Sequence, residues 1–160
     1  MPTRVIDVGT DQQHPDKYAV CIVETIPAQT DRYIALTYCW GSKGNNVRTT
    51  RSTYSQMLRG FSSEALPRTI QDAIKVTRSL DIRYLWVDAL CIIQSEYPGD
   101  PGSDWATEAG KMSTYYENAF YTIGASSSRD CDDGFLKARP AQVDPPTQGC
   151  DLSVWTTHLY

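Results

Sequence analysis

Asp88 interrupts the longest apolar run of this chain, Arg83-Tyr84-Leu85-Trp86-Val87-Asp88-Ala89-Leu90-Cys91-Ile92-Ile93. A carboxylate there has two uses. It can serve a ligand in the crevice that opens at the carboxyl ends of parallel strands, or it can accept backbone hydrogen bonds and close a loop. A second group is Asp104-Trp105 with Glu108. One helical turn separates Trp105 from Glu108, which predicts both on one side of a helix. That would make an aromatic platform beside a carboxylate, suited to a base or a sugar. The competing reading is a core tryptophan beside a first-turn glutamate that complements the helix dipole. The third group is Tyr38, Cys39, Trp40 and Gly41. Gly41 permits close backbone approach or a positive φ. The loop after it carries Lys43, Arg48 and Arg51 among Gly and Asn, and reads as an anion-contacting segment or as a solvated basic loop.

Several chemistries are excluded by pattern. There is no G-x-G-x-x-G, no G-x-x-x-x-G-K-[ST] and no G-x-S-x-G. Five cysteines, Cys21, Cys39, Cys91, Cys131 and Cys150, form no C-x-x-C pair, and His14 and His158 lie far apart. No metal site is expected from that spacing. The odd cysteine count and an N-terminus without an apolar leader suit a reducing compartment. A formal net charge of -4 gives no drive toward phosphate backbones, so no nucleic acid is expected as partner. No apolar run approaches the ~18 residues of a membrane span.

These residues need elements to hold them. Tyr18 to Thr25 is rich in β-branched residues and reads as a strand. Tyr33 to Trp40 is a near-continuous apolar run ending at Gly41, a buried strand. Leu66 to Leu80 reads as a helix whose Ile70, Ala73, Ile74 and Thr77 share one face, with Thr69 and Asp72 spaced as a capping box. Arg83 to Ile93 reads as a central strand buried on both faces. Trp105, Ala109, Met112, Tyr116 and Ala119 form an apolar stripe on a helix that starts near Asp104. Phe120 to Ala125 is a further strand, closed by Ser126 to Asp130, and periodicity is lost from Pro140 onward. Alternating strands and helices predict an α/β fold, a mostly parallel sheet flanked by helices.

Taken in order, these segments resemble the fungal heterokaryon-incompatibility (HET) domain. The blocks that carry the resemblance are Tyr33 to Gly41, Leu66 to Ile74 and Tyr84 to Gln94. Asp104-Trp105, Glu108, Met112, Tyr116, Asn118-Ala119 and Thr122-Ile123 continue the pattern, and Gly134-Phe135-Leu136 ends it. Thr37 replaces a usual Ser, Asp81 a usual Gly, and Ser95 a usual acidic residue or Asn. The resemblance implies a cytoplasmic module of fungal self/non-self recognition that triggers programmed cell death. Its partners would be other HET or death-signalling proteins, including copies of itself.

The family is in turn similar to the TIR domain. Leu36-Thr37-Tyr38 looks like the first TIR box and Trp86-Val87-Asp88 like the second, which implies a TIR-like three-layer arrangement. Some TIR domains cleave NAD with a glutamate on a later helix. Carried over, this implies NAD as a substrate rather than a bound cofactor. Glu108 and Asp88 would then be catalytic, and Tyr38, Trp40, Gly41 and Trp105 would bind ligand. The comparable HET glutamate lies in a Trp-x-x-Gln-Glu motif after the Gly-Phe-Leu block. Here Trp155 is followed by Thr156-Thr157-His158. The expected organisation is therefore a front part of a HET domain over 1–140, with core motifs in 33–136. Residues 141–160 would be a connector or the truncated remainder of the same domain. An inactive truncated fragment is the third reading.

Overall fold

The computed structural model of the chain describes residues 1–9, 19–41, 47–126 and 130–137. The expectations placed on Tyr18, Lys43 and residues 141–160 lie outside that set. Six strands form one sheet in the order β4-β2-β1-β5-β3-β6. The strands are β1 (Arg4–Asp7), β2 (Ala19–Glu24), β3 (Tyr33–Thr37), β4 (Phe61–Ser62), β5 (Tyr84–Val87) and β6 (Tyr121–Gly124). The helices are α1 (Arg51–Arg59), α2 (Arg68–Ser79), α3 (Asp88–Cys91), α4 (Trp105–Ala109) and α5 (Met112–Glu117).

The sheet is mixed, which corrects the expectation of a mostly parallel one. β3 pairs in parallel with β5 and with β6. β1 is antiparallel to both β2 and β5, and β2 is antiparallel to β4. A continuous apolar run reports burial of both faces and carries no information on the direction of the neighbours. β5 shows this: it is buried at Leu85, Trp86 and Val87, between parallel β3 and antiparallel β1. The strand that makes the difference, β1, has charged residues at both ends. Both charges are buried and paired, Arg4 with Asp104 and Asp7 with Arg83.

From β3 the chain crosses to β5 on one side, and from β5 it crosses back past β3 to β6. Right-handed crossovers in opposite directions put α2 and α5 on opposite faces. α5 packs on the face that carries Trp86, whose ring centroid lies 5.6 Å from Tyr115 and 5.3 Å from Tyr116. α1 covers the opposite face, where Arg4 sits over the Tyr54 ring and the Tyr54 hydroxyl donates to Glu24. The α2 face behaves as its spacing requires, with Ile70, Ala73, Ile74 and Thr77 all buried.

Three local expectations are corrected. The run from Arg83 leaves the sheet after Val87, and Asp88 to Cys91 is a helical turn rather than strand. The turn is pinned from outside, because Thr49 N–H donates to Ala89 O and Arg4 Nε donates to Cys91 O. The helix from Asp104 to Ala119 is two short helices, parted at Gly110-Lys111, since Gly is a poor helix former. The capping box at Thr69 is absent. Pro67 occupies the N-cap position, the Thr69 hydroxyl has no partner among the described residues, and Asp72 points elsewhere. Asp81 adopts φ 53°, a left-handed conformation that glycine takes without strain, which explains the glycine the family pattern has there.

Candidate functional site

The carboxyl ends of β3, β5 and β6 meet at one end of the parallel part of the sheet. The chain passes from β3 to β5 on one side and then back past β3 to β6 on the other, which makes this the topological switch point, where open α/β sheets form a crevice. Asp88 follows β5 directly. Its carboxylate accepts the Trp40 indole N–H at 3.1 and 3.3 Å and the Ala89 N–H at 2.7 Å. No cation pairs with it among the described residues. Burial pushes its carboxyl above the usual range, and the Ala89 and Trp40 donors pull it only part of the way back. Tyr38 and Tyr116 stand near enough to feel its charge: burial raises both phenols, and the Asp88 carboxylate raises them further. The turn is seated from below by Gln94, whose Nε2 donates to Asp88 O and to Ile92 O, both at 3.2 Å.

Gly41 closes the β3 end at φ 79°. A side chain there would start 2.6 to 2.9 Å from the Asp130 carboxylate atoms, so glycine is required for the close approach. The structure therefore brings together Asp88, Tyr38, Trp40 and Gly41, and adds Tyr116, Asp130 and Cys131. The last two had no signal in the sequence beyond a turn. Gly41, which packs directly against Asp130, was the only hint of a close approach. Asp130, Cys131 and Asp132 also bring ligand-type atoms within 4.8 Å of one another. Hydrogen bonds within the turn account for that spacing, since Cys131 Sγ and Asp132 N–H both donate to Asp130 Oδ1.

Trp105 is exposed and Glu108 buried, which corrects the aromatic platform beside a carboxylate and the core tryptophan, while Glu108 does lie in the first turn of α4. Trp105 is 41% exposed, while Glu108 is 3% exposed. Glu108 accepts from Thr3 Oγ1 at 3.0 Å, Lys111 Nζ at 2.9 Å and the Tyr115 hydroxyl at 2.8 Å. Burial pushes its carboxyl up, and these donors outweigh it and hold it below the usual range. Beside it, Asp104 takes the Arg4 guanidinium and the Ile93 N–H. No hydrogen bond or ion pair joins Glu108 to Asp88 among the described residues. The glutamate ties the N-terminal residues to α4 and α5.

A separate cavity of about 240 Å³ opens at the other end of β3 and β5, lined by Asp31, Arg32, Asp81, Ile82, Arg83 and Tyr84. Arg51 opens α1, and Arg48 precedes it by three residues. No described helix is long and apolar enough to cross a membrane.

Comparison with known proteins adds one finding. Residues 33–157 match the family described as Heterokaryon incompatibility protein (HET). No curated protein and no solved structure matches the chain. The matched region takes in β3, α2, β5 and β6, the elements that build the crevice, as well as the Gly134-Phe135-Leu136 segment. The chain belongs to the heterokaryon incompatibility (HET) family.

Proposed function

We propose that the chain acts in fungal self/non-self recognition as a cytoplasmic module that leads to programmed cell death, by association with other HET or death-signalling proteins or with itself. The observation that carries this reading is the family match across residues 33–157. An exposed aromatic pair supports association. Phe120 and Tyr121 are 44% and 56% exposed and stack edge to face at 4.7 Å beside β6. β6 is the last strand on its side of the described sheet, with ladder hydrogen bonds to β3 alone. Induced expression of the full chain in a filamentous fungus tests it. Dye-permeable, arrested cells are the expected result, and normal growth at matched protein level removes the reading.

A second reading is a TIR-like NAD nucleosidase, favoured by the aromatic-lined Asp88 carboxylate at the switch point. Asp88 would orient a ribose, Trp40 and Tyr38 would contact a ring, Gly41 would admit the ligand, and Glu108 would stabilise an oxocarbenium-like centre. Trp105 would bind from its exposed position. For that role Glu108 must release the hydrogen bonds from Thr3, Lys111 and Tyr115. Chromatography of nicotinamide released from NAD checks this reading. No release, or equal release by Glu108→Ala, removes it.

A further inference from the structure

One carboxylate of α2 holds the backbone of residues 135 and 136. Asp72 Oδ2 accepts the backbone N–H groups of Phe135 and Leu136, both at 3.0 Å, while Oδ1 faces Lys75 Nζ at 3.0 Å. Gly134, at φ 66°, lies so close that a Cβ would stand 2.7 Å from Asp72 Oδ2. One turn earlier on α2, Thr69 N–H donates to Cys131 O at 2.9 Å. The other end of the same segment reaches the crevice. The Asp130 carboxylate lies over Gly41, and Cys131 next to it is buried.

We propose that residues 130–137 form a strap along the crevice and that Asp72 is the positioning residue that latches it, setting Asp130 against Gly41 and keeping Cys131 buried. The spacing of Thr69 and Asp72 suggests a helix cap, and the geometry assigns Asp72 to the strap instead. An ionised acceptor taking two backbone N–H groups holds a loop more strongly than neutral pairs do. Without it, both N–H groups lose their partner, and the strap opens locally before the domain unfolds. The regulatory meaning of the strap rests on the crevice being the functional site. Its mechanics do not.

Thiol labelling of the full chain tests this. With Cys21, Cys39 and Cys150 replaced by Ser, the remaining thiols are Cys131 within the strap and Cys91 in the core, both buried. Labelling of each is followed by mass spectrometry. In Asp72→Ala, Cys131 is expected to react about tenfold to a hundredfold faster, with Cys91 unchanged. Gly41→Ala, which drives a Cβ into the Asp130 carboxylate, is expected to do the same from the other end. Asp72→Asn keeps one acceptor oxygen and should fall between. The Asn and Gly41 variants carry the test if Asp72→Ala does not fold. An unchanged Cys131 rate overturns the latch, and so does parallel acceleration of Cys131 and Cys91, which is the mark of global destabilisation. Labelling reads the strap without any activity. If it behaves as expected while crevice variants leave cell killing intact, the strap stands and the crevice reading fails.

Discussion

Asp88 is held in a setting that opposes its own ionisation. Burial raises its carboxyl above the ordinary 3.8, against the pull of the Ala89 and Trp40 donors. A raised acid favours the fold in its protonated form. Its stabilising contribution is complete below the unfolded-state value and disappears as pH rises through the folded-state value. Asp88→Asn is therefore expected to raise the urea midpoint at pH 7, with the gain vanishing toward pH 3. An unchanged midpoint across that range would deny the strain. Glu108 has the opposite sign. Its carboxyl is held below 4.5, so its stabilisation is present above the unfolded-state value and is lost as pH falls through the folded-state value. Glu108→Gln should cost about 1.5–3 kcal/mol at pH 7, the range for a hydrogen-bonded charge, and progressively less in acid. Residue type and position were enough to single out Asp88. They were not enough for Glu108, because i, i+3 spacing within α4 does not encode that the distant Thr3 and Tyr115 bury the glutamate while Trp105 stays exposed.

Elements differ in how openly their sequence declares them. α2 and β3 carry long apolar patterns that declare them, although β3 ends at Thr37, three residues short of the expected Trp40. β1 could not, because Arg4 and Asp7 look like surface residues. Arg4 joins β1 to α3 through Cys91 O, to α4 through Asp104 and to α1 through the Tyr54 ring. Arg4→Met should remove the charged hydrogen bonds to Asp104 and Cys91 O and destabilise the fold by about 1.5–3 kcal/mol, the range for a hydrogen-bonded charge. A loss below about 0.5 kcal/mol, the level of a surface change, would contradict that role. α1 was missed for another reason: its apolar side is only Tyr54, Met57 and Leu58 in a short, largely polar stretch, and only Met57 is buried. In β5, Trp86 is 1% exposed and meets both tyrosines of α5. Trp86→Ala should cost about 3–5 kcal/mol in denaturant melts.

At the scale of the molecule, antiparallel β1, β2 and β4 extend one side of a parallel core formed by β5, β3 and β6. Strand direction depends on long-range pairing, which local pattern does not encode, so the α/β class was legible and the mixed sheet was not. The crevice was half legible for the same reason. Tyr38, Trp40, Gly41 and Asp88 sit at strand ends, whereas Asp130 and Cys131 arrive through a turn clamped by a distant helix. The HET family assignment and the crevice converge on one experiment. The full chain and its Asp88→Asn variant, expressed at equal levels in a filamentous fungus, are scored for dye-permeable cells. The account predicts death with the parent chain and survival with the variant, whose fold is at least as stable. Equal killing by both, or no killing by the parent, would contradict it.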